Sequence, residues 1–161
     1  MFPPMLATIR GYDIGAFLHV LAVVLAFGPT FGYAIFFSVV PQFPRATPAL
    51  MAGVQKTDRY LVDPGMIVVL LAGVYLLVDG PWEASATFIS IGFVAIIALL
   101  GLQHGFFRPQ TAKARELAER DLEGGDTLSD EFLALSQRIG KVGSLAGLIV
   151  VVTIFFMVVK P

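Results

Sequence analysis

Residues 14–40 read IGAFLHVLAVVLAFGPTFGYAIFFSVV, an unbroken run without Asp, Glu, Lys or Arg. A hydrocarbon layer about 30 Å thick is crossed by roughly 20 helical residues, so this run is long enough to span a bilayer. Backbone N–H and C=O groups have no water to bond in lipid, which restricts spanning segments to helices or closed barrels. The apolar residues are continuous rather than alternating, which selects a helix. The run also exceeds the apolar core of about 7–15 residues of a cleaved signal and ends in no small-residue cleavage site, so it reads as a retained first span.

Working outward, three further runs meet the same test, at about 60–78, 84–107 and 142–159. The chain is expected to be all-α, an integral membrane four-helix bundle forming one domain over residues 1–161. Composition agrees: 57% of residues are hydrophobic and 14% charged, against about 25% charged in soluble domains. A formal net charge of -1 gives no pull toward nucleic acid, and the lipid bilayer is the expected partner. Cysteine is absent, which excludes disulfides, thiolate nucleophiles and Cys-held zinc or iron–sulfur clusters.

The connections differ in kind. Pro41, Pro44 and Pro48 precede the second span, with Thr47-Pro48 expected as a cap and first helical residue, and Asp63-Pro64 should bend the helix that follows. Asp79–Glu83 is a tight turn. Residues 108–141 form the one long soluble connection, expected to be partly helical with a Glu116–Arg120 pair, a break at Gly124-Gly125, and Thr127 or Ser129 capping a second short helix. Its mixed charges read as a plain solvated helix rather than a polybasic patch. The first and third connections carry Arg45, Lys56, Arg59, Arg108, Lys113, Arg115, Arg120, Arg138 and Lys141; the other side carries only Arg10 and Lys160. That imbalance places both connections in the cytoplasm and both termini outside.

Helices in lipid associate by close packing and interhelical hydrogen bonds, which favours small residues four apart. Gly28 and Gly32, Gly101 and Gly105, and Gly143 and Gly147 have that spacing, with Gly65, Ala72 and Gly73 in span two. They predict tight contacts within the bundle or between chains, as a homo-oligomer or part of a larger membrane complex. Pro29 should kink span one, its freed carbonyl met by Thr30 or a neighbour.

Polar side chains at membrane depth are costly and mark candidate sites. His19 lies toward the outer end of span one, with Tyr75, Asp79, Trp82 and Glu83 as expected neighbours, and is a possible ligand for haem b. Asp63 and His104 lie near the inner ends of spans two and three, where a carboxylate–imidazole pair would serve structure or relay protons. A haem shared by His19 and His104 is disfavoured, since their expected depths differ by about 15 Å and two imidazoles on one metal sit only about 4 Å apart. No phosphate-binding loop, nucleophile elbow, zinc-protease helix or EF-hand is present. No metal cluster and no catalytic residue is assigned, so an enzyme is the less favoured class.

Leu18-His19-Val20-Leu21 with Phe27-Gly28-Pro29-Thr30-Phe31, Asp63-Pro64 before Gly73-Val74-Tyr75-Leu76-Leu77, and Met157-Val158-Val159-Lys160-Pro161 resemble an uncharacterised bacterial family of membrane proteins, domain-of-unknown-function family 2269. That resemblance implies a multi-pass protein of the bacterial inner membrane. The outline is also similar to the HemJ-type protoporphyrinogen oxidases, four-span proteins whose resemblance implies a span-one His and a span-three Lys as haem ligands. His19 matches the first; span three has no Lys, Phe93 standing near the expected place, and span one lacks that family's Arg. Three readings follow: a non-catalytic accessory, assembly or oligomeric subunit, which the missing motifs favour; a haem b-binding redox protein using His19; and a small proton-coupled transporter or channel using Asp63 and His104.

Overall fold

The structure, a computed structural model, describes residues 10–160; the closing Pro161 of the terminal motif and the side chain of Pro41 lie outside the described residues. Six α-helices and no strand are found among them: α1 (Gly11–Ser38), α2 (Thr47–Thr57), α3 (Asp63–Asp79), α4 (Thr87–Leu102), α5 (Arg108–Glu123) and α6 (Asp130–Val159). Two π-turns, Asp58–Val62 and Gln103–Phe107, fuse α2 to α3 and α4 to α5, giving continuous helices of 36 residues (Pro44–Asp79) and 37 residues (Thr87–Glu123). At 1.5 Å per residue such helices reach about 55 Å, well beyond a ~30 Å hydrocarbon layer. The surplus length is in α2 and α5, the less apolar parts of the two helices.

Four helices are long and apolar enough to cross a membrane: α1, the fused helix that ends in α3, the fused helix that begins with α4, and α6. α1 packs on α3 and α4 on α6 along much of their lengths, while α3–α4 and α1–α6 touch more sparsely. The bundle is therefore two close pairs leaning together across a looser seam, in which Phe27, Met66, Val69, Ile96, Leu99 and Val150 form the core. Small residues make the α1–α3 pair close: a Cβ added at Gly65 would stand 2.8 Å from the Cβ and 3.1 Å from the backbone of Ala26. Outward-facing residues such as Phe17, Ile35, Val78, Val94 and Val158 are more than half exposed, as lipid-facing positions are.

Several expectations are corrected. The first helix ends at Ser38, before Val40, because two 3-10 turns built around Pro41 and Pro44 follow. Thr47 is the first residue of α2 rather than its cap, since the second of these turns runs into the helix without an extended residue to cap from. The Thr30 hydroxyl donates to Phe27 O (2.7 Å) rather than to the Leu25 carbonyl that Pro29 leaves free within α1. Arg120 pairs with Asp121 (3.0 Å) and Glu131 (3.6 Å) instead of Glu116. α5 is not simply solvated: Ala114, Leu117 and Ala118 join Val40, Met51 and Phe132 in a second core. Where that core meets water, burying a large side chain such as Phe132 or Met51 contributes about 1.5–3 kcal/mol, a driving force the lipid-embedded part lacks.

Ser129 is the cap expected of it, accepting from Phe132 N (3.3 Å), but the helix it opens is the whole 30-residue α6. Hydrogen bonding from the Ser129 hydroxyl and then its amide (N···Oδ2 2.8 Å), with Arg120 alongside, holds the Asp121 carboxyl below the usual carboxylate range. A carboxyl whose pKa is lower folded than unfolded stabilises above its unfolded value of about 4 and loses that contribution as pH falls through the folded value. Hydrogen exchange at residues 124–132 should accordingly quicken below about pH 4, and Asp121→Ala should show the fast exchange already at neutral pH. Equal protection in the variant at neutral pH would show the contact to be idle.

Candidate functional site

Two cavities lie in the seam. The first, of about 500 Å³, is at the Trp82 end and draws its walls from all four spanning helices, including His19, Gly73, Phe93, Thr153 and Met157. Its volume lies within the roughly 300–1,000 Å³ of small-molecule and cofactor sites. The second, of about 680 Å³, is at the end that carries α2 and α5. Phe27, Leu99 and Val150 line both, and each is buried, so these three side chains form the partition between them.

His19 is half-buried on α1, and its Nδ1 lies 3.0 Å from Val69 O. A carbonyl can only accept, so Nδ1 carries the hydrogen and Nε2 of the neutral ring keeps a free lone pair. Gly73 makes room one helical turn further along α3: a Cβ there would stand 3.5 Å from His19 Cε1. The expected neighbours of His19 are otherwise engaged. Tyr75 donates to Asp79 (3.1 Å), and Trp82 Nε1 donates to the Tyr12 hydroxyl (3.1 Å). Instead, Trp82 stacks edge-on against Phe88 with centroids 5.3 Å apart, and Lys160 Nζ lies 4.1 Å from the Trp82 ring centroid at the cavity wall. Gly92 is filled by the Met157 methyl, so no larger residue fits there without moving that side chain.

At the other end the two π-turns meet. Proline cannot donate to the carbonyl four residues back, and its ring clashes with it; a widened turn immediately before it relieves both. Pro64 and Pro109 each follow such a turn, closed by Asp63 N–H to Asp58 O and by Arg108 N–H to Gln103 O. The pairing places Asp63 and Arg108 together (Oδ2···Nη1 3.5 Å), and the same Arg108 nitrogen donates to His104 Nδ1 (3.3 Å). Asp63 and His104 thus meet through Arg108, with no direct bond between them among the described residues; neither lines either of the two cavities described above. The Asp63 side chain is 14% exposed and its Oδ1 has no protein partner. Arg108→Met should therefore lower stability by about 1–3 kcal/mol, the penalty for an uncompensated charged group. Adding Asp63→Asn should recover most of it in a denaturation double-mutant cycle, and additive losses would show that the two do not interact.

Sequence reading missed Tyr33, Asp58 and Gln103. The Tyr33 hydroxyl donates to Asp58 Oδ1 (3.1 Å), and all three residues line the second cavity. Counting buried amides and phenols along with ionisable groups, and taking Arg108-Pro109 as the counterpart of Asp63-Pro64, would have found them. The paired glycines are placed as follows. A Cβ at Gly28, Gly101, Gly105 or Gly143 would meet nothing within 4 Å, one at Gly32 only its own-helix Phe36, and one at Gly147 the Phe31 ring at 3.5 Å.

A family model described as predicted integral membrane protein (DUF2269) matches residues 14–161. No curated protein and no solved structure matches.

Proposed function

The chain belongs to the DUF2269 family of predicted integral membrane proteins, and on that premise we propose that it is a membrane-embedded haem b-binding protein with His19 as an axial ligand. The observation that carries the reading is the Nδ1 hydrogen bond to Val69 O, which fixes the ring and its tautomer and frees Nε2. Metal-ligating histidines are oriented by such a bond on their other nitrogen. The chemistry of the walls fits the group: a largely apolar cavity of about 500 Å³, a glycine beside the imidazole, and a cationic Lys160 positioned for a propionate. Met157 lines the same cavity, and its thioether is a further group that could help to hold the iron. Haem held there would supply one-electron redox chemistry inside the bilayer.

The imbalance of Lys and Arg supports an orientation with α2 and α5 in the cytoplasm and the His19 cavity nearer the outer face. The test is a reduced-minus-oxidised absorption spectrum of protein purified in detergent from haem-replete cells. A Soret band with a sharp α-band is expected. Colourless protein that shows no saturable band on haem titration would overturn the reading.

A second reading, a non-catalytic subunit that associates with copies of itself or with a larger membrane complex, rests on the open faces at Gly28, Gly101 and Gly105. Cross-linking through cysteines introduced beside Gly101 tests it, and an exclusively monomeric product would remove it. Proton-coupled transport through Asp63 and His104 has less support, because Arg108 already engages both.

A further inference from the structure

The cavity at the α2/α5 end lies apart from His19, and nothing above assigns it a ligand. We propose that it binds a quinone of the membrane pool. Its volume is about 680 Å³, and Phe27, Phe31, Phe37 and Phe107 contribute to its walls, so its occupant has an apolar body and enters from lipid. Two buried side-chain atoms there, Gln103 Nε2 and Ser136 Oγ, have no protein partner at full hydrogen-bond geometry; Gln103 as a whole is 6% exposed, and its amide faces the Asp58 carboxylate without closing a good bond to it. Gln103 Nε2 can only donate and the Ser136 hydroxyl can donate or accept, and an orphaned buried polar group costs about 1–3 kcal/mol. A ligand that offers acceptors satisfies both.

Asp58 lines the same space, 6% exposed, with the Tyr33 hydroxyl on Oδ1 and no ion pair. It places a group able to give or take a proton beside the ligand. An apolar ring bearing two carbonyl acceptors, whose reduced form carries exchangeable protons, answers all three features. A fatty acid would present its acceptors at one end and bring an anion to Asp58, although Lys141 also lines the cavity and makes it the competitor to test. The π-turns explain why the site exists: Asp58 and Gln103 are the first residues of their respective turns, where the widened backbone carries them into the seam.

The experiment is calorimetric titration of decylubiquinone into the full chain in phosphatidylcholine nanodiscs. Saturable binding is expected, competed by duroquinone but not by durene, which has the same methylated ring without carbonyls, nor by oleate. Ser136→Ala and Gln103→Leu should each weaken it by about tenfold, the loss of one hydrogen bond of about 1.4 kcal/mol. If Gln103→Leu does not fold, Ser136→Ala and Gln103→Glu decide. Protein prepared from haem-depleted cells should bind the quinone with the same affinity, which separates this site from the haem reading. Absence of saturable heat, equal competition by durene or oleate, or wild-type affinity in both site variants would overturn the proposal.

Discussion

Replacing His19 by Gly should strip haem b from the purified protein, lowering occupancy by more than tenfold, and millimolar imidazole should restore the Soret band. Haem in a largely apolar cavity is retained by its axial bond together with burial, and His19 is the imidazole the cavity presents. Because His19 also donates to Val69 O (3.0 Å), its removal leaves a carbonyl at membrane depth without that partner, at a cost of about 1–3 kcal/mol. His19→Asn separates the two effects. Its amide can still donate to Val69 O but is a poor iron ligand, so it should regain stability and remain without haem. Wild-type haem content in either variant would show that the ligand lies elsewhere, while haem loss together with collapse of the fold in both would assign His19 a structural part only.

The second large effect is expected at Gly65. An added methyl would stand 2.8 Å from Ala26 Cβ and 3.1 Å from both Ala26 Cα and N, atoms that belong to a helix and have no rotamer to escape into. Gly65→Ala should cost about 1–3 kcal/mol as an overpacked core does, and Gly65→Leu should separate α1 from α3 and prevent folding altogether. The matched control is Gly28→Ala, where the methyl meets nothing within 4 Å and the change should stay within about 0.5 kcal/mol. Denaturation of the detergent-solubilised protein reads both. If Gly65→Ala is as stable as the parent, the closeness of the α1–α3 pair is not what holds it.

The contrast between these two glycines shows where sequence reading stops. The four spans were legible because lipid permits one solution to backbone hydrogen bonding and sets the run length it requires. Spacing of glycines was not enough to say which ones touch: Gly28 has a partner four residues on, yet Gly65, with none, is the one that stands against the backbone of a neighbouring helix. A helix face is defined by what lies opposite, and that is a property of the fold. His19 was legible as a polar residue in an apolar run, but its partner, the Val69 carbonyl, has no side-chain signature. Asp58 escaped notice because it falls before the second apolar run. Only the π-turn that follows it brings it to the wall of a cavity.

Those π-turns carry a further consequence for how the chain tolerates changes in length. Each closes a loop of hydrogen bonding one residue wider than the α-helix around it, and one residue is about 100° of rotation in a helix of 3.6 residues per turn. Deleting a single residue between Arg59 and Val62 would restore an ordinary α-helix with α2 at about its present azimuth, but straightening the turn with every residue kept would swing α2 by that angle about the axis of α3. Met51 and Val54, now buried, would sweep away from α5 while the membrane-embedded half stayed as it was. The azimuth of α2 is thus written in one surplus residue, and the same holds for α5 on α4 through Gln103–Phe107.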